Sequence, residues 1–290
     1  MNRDEFLTAL QTEAATFTEA VSTKDGDWII KGFIDIYRRI YTISIDTKVV
    51  SKVLELLLFP VFVRFAETHG FSLELSPQQN FYPDLTFVSK TTGAKYAVDI
   101  KSTYRVSDTK ASGMTLGAFT GYFRNRDSKK NTLYPYSQYS GHFVLGVVYS
   151  QSEGVVDERE QYSIDDLEKI QSVIRNFVFF AQPKYRIASA SPGSGNTKNI
   201  GSVNTLDALL NGNGPFAQLG EEVYDDYWMY YLTKDMAAAL KVPRPYTNLK
   251  SFLEYKSKGI EILKEHAEEI RHLAEDEAES AEADETGAGE

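Results

Sequence analysis

The chain has 290 residues, 42% of them hydrophobic and 13% aromatic, so it can bury a sizeable core and wholesale disorder is excluded. Its formal net charge is −10 and it holds no cysteine, which removes disulfide frameworks, thiolate metal sites and cysteine nucleophiles together and fits a reducing cytoplasm. Residues 264–290 carry eleven acids against two bases, so the remainder is almost neutral and has room for a local basic groove.

Residues 3–20 read as an amphipathic helix, with Phe6, Leu7, Leu10 and Phe17 at roughly helical spacing. The opening residues lack the apolar run of a signal peptide. Residues 28–45 are rich in Ile, Tyr and Phe and suggest strand or interface surface. Asp46 and Thr47 can cap free backbone N–H groups, which predicts a helix from residue 48 to 59 with Lys48, Ser51, Lys52 and Glu55 as its polar stripe. Pro60 is expected to end or kink it before a further helix reaches Thr68. The apolar run at 53–63 contains Glu55 and Pro60 and is too short to span a membrane.

From Phe71 the pattern turns to strands. Residues 85–88 and 94–103 are predicted to form a hairpin across Thr91-Thr92-Gly93. Arg124, Arg126, Lys129 and Lys130 cluster in sequence, either as a solvated loop or as phosphate contacts. Residues 142–149 suit a buried strand, and 165–180 a helix followed by a strand. Residues 186–190 are expected to be a strand leading into a Gly-rich loop at 191–199, and 224–240 a helix. Residues 278–290 are low-complexity and expected to be disordered. The organisation predicted is one domain over 1–263 and an acidic tail over 264–290.

The segment that carries chemistry is Pro83-Asp84 followed by Asp99-Ile100-Lys101. In a strand Tyr96, Val98 and Ile100 point one way, toward a core, and Asp99 and Lys101 the other. A two-residue loop at Thr91-Thr92 would set Asp84 opposite Asp99; one at Thr92-Gly93 would set it opposite Lys101. Either parity puts the three groups on one face, whereas a three-residue loop would separate them. Two carboxylates held so close repel. A divalent cation such as Mg²⁺, with Mn²⁺ able to substitute, resolves the conflict and can polarise a phosphate and acidify a water. Lys101 is placed to stabilise developing negative charge. No Gly-Lys-Ser/Thr occurs, and Lys198 stands where a dinucleotide fingerprint needs its last glycine, so no nucleotide cofactor is expected.

Pro83-Asp84 with Asp99-Ile100-Lys101 resembles the PD-(D/E)xK nuclease signature, and longer strings resemble the EcoRV family of type II restriction endonucleases. They are Asp46-Thr47-Lys48-Val49, Gln78-Gln79-Asn80-Phe81-Tyr82-Pro83-Asp84, Asp99-Ile100-Lys101-Ser102-Thr103-Tyr104, Thr115-Leu116-Gly117, Arg124-Asn125, Tyr134-Pro135, Gln138-Tyr139, and the run 193–202, Gly-Ser-Gly-Asn-Thr-Lys-Asn-Ile-Gly-Ser. They follow the family's order over roughly residues 1–231.

The resemblance implies an α/β (α+β) fold with a restriction-endonuclease-like core, a mixed central β-sheet flanked by helices. It implies a homodimer that cuts double-stranded DNA at a short palindrome, with GATATC and a blunt central cut as the first reading. Asp84 and Asp99 correspond to metal ligands, Lys101 to the catalytic lysine and Glu55 to an auxiliary acid of the metal site. Gly193, Ser194, Gly195, Asn196, Thr197 and Asn199 correspond to a recognition loop in the major groove, and Gln78, Gln79 and Asn80 to a loop along the minor groove. Lys48, Thr103, Thr115 and Thr120 match residues that touch phosphates or couple recognition to cutting. Lys198 departs from the family's threonine and Gly121 from its serine, and residues 153–185 and those after 231 diverge. A structure-selective nuclease on the same scaffold and a non-catalytic binding module are the alternatives. The intact glycine-rich loop argues against the first and Lys101 against the second.

Overall fold

A computed structural model describes residues 1–78, 80–153, 159–193 and 198–257. The helices are α1 (Arg3–Ala14), α2 (Phe17–Val21), α3 (Thr47–Thr68), α4 (Lys184–Ile187), α5 (Leu206–Asn211), α6 (Glu221–Met229), α7 (Lys234–Leu240) and α8 (Leu249–Ser257). The strands are β1 (Gly32–Ile34), β2 (Arg39–Thr42), β3 (Phe71–Leu75), β4 (Leu85–Ser89), β5 (Lys95–Ser107), β6 (Lys110–Ala111), β7 (Thr115–Ala118), β8 (Tyr139–Gln151), β9 (Gln161–Ser163), β10 (Ile174–Pro183), β11 (Ala188–Pro192) and β12 (Asn199–Ser202).

The central sheet runs β10-β8-β5-β4-β3, with β6 paired to β5. It is mixed: β5 and β8 are parallel and the other pairs antiparallel. Alternation along its strands feeds two cores. Tyr96, Val98, Phe143, Leu145 and Val147 pack with Phe6 and Leu10 of α1 and Val50, Leu54, Leu58, Phe62 and Phe65 of α3. Ala97, Val144, Val148 and Phe180 face the other way, onto Leu116, Phe119, Ile187, Ile200, Tyr227 and Trp228. Strands β7, β12 and β11 form one small sheet against that second core, and β1, β2 and β9 form another. Among the described residues no helix is long and apolar enough to cross a membrane.

Five expectations change in detail. Pro60 does not end the helix but lies inside α3, because Leu54 and Leu58 before it and Val61, Phe62 and Phe65 after it all bury in the same core. The first helix breaks into α1 and α2, and the segment at 224–240 into α6 and α7, where the Thr233 side chain caps the backbone N–H of Met236 and starts a new helix. Residues 184–187 form a helical turn, so the strand expected from 186 starts at Ala188. The helix foreseen near 165 is a 3₁₀ segment, Ile164–Lys169, ahead of β10. The acidic tail lies outside the described residues.

Gly146 is a position that periodicity does not single out. It pairs with Lys101 on one side and Phe180 on the other, and a Cβ there would collide with the Phe180 ring. The glycine lets that ring lie across the strand next to β5. Gly146→Val should cost about 1–3 kcal/mol through overpacking, read as a lowered denaturation midpoint. An unchanged midpoint would show that Phe180 can move aside freely.

Candidate active site

The hairpin β4–β5 is closed by residues 90–93. The Ser89 N–H donates to the Ala94 carbonyl, the Gly93 N–H donates to the Ser89 carbonyl, and Gly93 takes the left-handed φ of +71° that the turn needs. This four-residue loop has the parity of the Thr91-Thr92 alternative. The register pairs Leu85 with Val98, so the next positions outward are Asp84 and Asp99.

Their side chains meet over one ammonium. Lys101 Nζ lies 2.7 Å from Asp99 Oδ2 and 3.6 Å from Asp84 Oδ2, and Asp84 Oδ2 also accepts the Ile100 backbone N–H at 2.7 Å. Asp84 is fixed from behind. The Tyr82 carbonyl accepts from the Leu133 N–H and the Thr132 hydroxyl, each at 3.0 Å, and the Tyr82 hydroxyl meets His142 Nδ1 at 2.9 Å. His142 is buried and stacked on Tyr136 at 3.7 Å; burial and then Lys184 push its pKa well below the usual range, so it stays neutral.

The electrostatics of the cluster are lopsided. Burial first, and the neighbouring Asp99 second, push the Asp84 carboxyl up to about 7. Burial pushes Asp99 the same way, but Lys101 and then Lys184 outweigh it and hold Asp99 below the usual carboxylate range. Burial would lower the Lys101 ammonium, yet Asp99 and Asp84 raise it well above its ordinary value. The pair therefore shares its charge unequally, with Asp99 the firmer anion.

The proton on Asp84 links this asymmetry to stability. Its folded pKa lies above the ordinary carboxylate value of 3.8, so the folded chain binds this proton more tightly than the unfolded chain. Without divalent cations, stability should fall as pH rises from about 4 to about 7, then level off. Asp84→Asn should remove that slope. Melting curves in chelator across the range would show it, and equal slopes in both proteins would mean that Asp84 is not the group responsible.

The donor set suits a hard cation: two carboxylates converge on one point, and oxygen is what Mg²⁺ takes. Among the described residues no group of three His, Cys, Asp or Glu gathers that could hold a metal. Glu55 is outside the cluster, its carboxylate 2.7 Å from Lys52 Nζ on α3. One or two carboxylates are a common protein contribution to a Mg²⁺ site, and Asp84 and Asp99 would be the residues to supply them.

The DNA-contact candidates divide by burial. Lys48, Gln78, Asn80 and Thr115 are exposed. Thr103 and Thr120 are buried, and the Thr103 hydroxyl donates to the Ser112 carbonyl at 2.7 Å. Their burial argues against direct phosphate contact. Gly193 and Asn199 flank the segment expected to read bases, the Gly193 N–H donating to the Asn199 carbonyl at 2.8 Å. Gln79, Ser194, Gly195, Asn196 and Thr197 lie outside the described residues.

The basic cluster does not act as a unit. Arg124 is buried and donates to the Tyr231 carbonyl, and Arg126 is paired with Asp225 at 2.9 Å. Arg124 as a phosphate contact is thereby corrected: its guanidinium lies over Phe119, 5.5 Å from the ring centroid, in the second core. Lys129 is the exposed member.

Residues 24–257 match the family described as restriction endonuclease EcoRV. The type II restriction enzyme EcoRV of Escherichia coli is 36% identical over 202 residues, 69% of this chain and 81% of that enzyme. The family match runs on past residue 231, where the motif strings give out.

Proposed function

This chain belongs to the EcoRV family of type II restriction endonucleases, enzymes that cleave DNA, and from that premise we propose a Mg²⁺-dependent, palindrome-specific cut made by a homodimer. The observation that carries the reading is the convergence of Asp84 and Asp99 on the Lys101 ammonium, at 3.6 and 2.7 Å. Asp84 and Asp99 would hold the cation, which when bound supplies Lewis acidity toward the phosphate and a more acidic water. Lys101 supplies a fixed positive charge beside the scissile phosphodiester, where it stabilises the extra negative charge of the transition state. Thr132 and His142 hold Tyr82, two residues before Asp84, and the Ile100 N–H holds the Asp84 carboxylate itself against its repulsion from Asp99. Glu55, on the helix beside the hairpin, is proposed as an auxiliary acid that leaves Lys52 to act.

The loop 193–199 and the segment 78–80 are proposed to read the major and minor grooves, with Lys48 and Thr115 on phosphates. Two-fold protein symmetry would match the two-fold symmetry of the site. The surface for the second copy is the small sheet of β1, β2 and β9, which leaves Ile36 89% and Tyr37 70% exposed together with Phe33 and Ile34. GATATC, cut bluntly at its centre, is the proposed target.

Digestion of a plasmid of known sequence in Mg²⁺, with the fragment ends mapped, tests this reading. Discrete bands ending at the centre of one palindrome are expected. A smear would mean relaxed or structure-selective cutting, and intact plasmid would leave a binding module.

A further inference from the structure

Lys184 is the most deeply buried charge next to the catalytic hairpin, and no step of the proposed cleavage uses it. It opens α4, the turn that leads through β11 to the recognition segment. Only 1% of its surface is exposed, and among the described residues its Nζ has no hydrogen-bond partner. An ammonium stripped of water without an acceptor is costly unless charge or aromatic rings compensate it. Both are present. Nζ lies 4.3 Å from the centroid of the Tyr82 ring and 6.0 Å from that of Tyr136. Room for it comes from Gly117, where a Cβ would stand 3.5 Å from Nζ and 2.9 Å from the Tyr122 hydroxyl. Burial pulls the Lys184 ammonium down to about 8, and Asp99 is the leading influence that holds its proton on. Reciprocally, Lys184 stands next after Lys101 among the charges that keep Asp99 ionised.

We propose that Lys184 is a positioning residue of the metal site, a buried cation whose charge sets how strongly Asp84 and Asp99 attract a divalent ion. With both carboxylates ionised, Lys101 and Lys184 bring the cluster's formal charge to zero. Removing the Lys184 charge leaves it at −1 and favours a dication there. The inference rests on the reading of Asp84 and Asp99 as metal ligands. A core lysine that only fills space would not produce this sign, since loss of packing weakens a metal site.

The test is calorimetric titration of Ca²⁺, which should bind with little turnover, into the full chain at fixed ionic strength. Specific binding is defined as the part lost in Asp84→Ala, so ions gathered by the acidic tail are subtracted. Lys184→Met should bind Ca²⁺ about tenfold more tightly than the native protein, the order that Coulomb's law gives for a unit charge near a dication at intermediate dielectric. Lys184→Arg, which keeps the charge, should stay within about twofold of native. Lys184→Gln serves beside Lys184→Met should the apolar variant fail to fold. Unchanged or weaker Ca²⁺ binding by the folded neutral variants overturns this inference alone. Absence of any Asp84-dependent Ca²⁺ binding in the native protein overturns it together with the metal-ligand reading.

Discussion

Lys101→Ala is expected to lower DNA cleavage in saturating Mg²⁺ by at least about a hundred- to a thousandfold, the usual cost of losing one group that faces transition-state charge. DNA affinity in Ca²⁺ should change far less, because the ammonium sits in the pocket of Asp84 and Asp99 and is not an exposed phosphate contact. Asp99→Ala should be as inactive for a different reason, the loss of the firmer of the two anions. The variants should differ in stability. Asp99→Ala leaves Lys101 with Asp84 as its partner, whereas Lys101→Ala leaves a buried Asp99 with only Lys184 as compensating charge. Strand alternation alone turns both groups away from the core; Asp99 nonetheless lies under the surface, so Lys101→Ala should melt lower than Asp99→Ala. Single-turnover cleavage of a short duplex, with binding measured in Ca²⁺, separates the effects. Cleavage by Lys101→Ala within tenfold of native would remove the lysine from the mechanism.

The β4–β5 hairpin is legible in the sequence because its geometry depends on parity, and parity can be counted. Residues 84, 99 and 101 share a face for any even loop, and the loop found, 90–93, is even. The central strands are legible because a short, unbroken apolar run such as 143–148 fits a strand buried on both faces. What escapes depends on partners distant in sequence. Arg124 follows a loop and precedes other bases, so it reads as a surface charge until the Tyr231 carbonyl and the Phe119 ring enclose it. Lys184 reads as an ordinary lysine beside a proline until Tyr82, about a hundred positions earlier, is placed under its ammonium. Pro60 breaks a helix by local rules, yet apolar residues on both sides of it are committed to one core and tertiary packing wins. Gly146 carries no local signal, because its requirement comes from a ring on the neighbouring strand.

Asn196→Ala is expected to reduce discrimination between the correct site and a site altered by one base pair, by roughly 1–3 kcal/mol for each base contact removed. The loop is framed by paired strands. Strands β11 and β12 pair, and Gly193 and Asn199 close the base of the segment through a backbone hydrogen bond of 2.8 Å. The strand partner of β12 on its other side is β7, which brings Thr115 and Gly117 alongside. Ala188 of β11 and Ile200 of β12 belong to the same core as Ala97, Val144 and Phe180 of the central sheet. Within residues 194–197, Asn196 has the side chain best suited to adenine, one donor and one acceptor spaced for N7 and N6. The glycines at 193 and 195 let a backbone come close to base edges. Loss of the Asn196 amide should lower kcat/KM at the correct site far more than at altered sites, since the altered sites already lack the full set of contacts. Lys129→Ala should behave in the opposite way, weakening all sequences alike and flattening the dependence of binding on salt if it touches phosphate. Measured on paired duplexes that differ at one position, an equal fall at correct and altered sites in Asn196→Ala would move the reading of bases elsewhere, to the exposed Gln78 and Asn80 first.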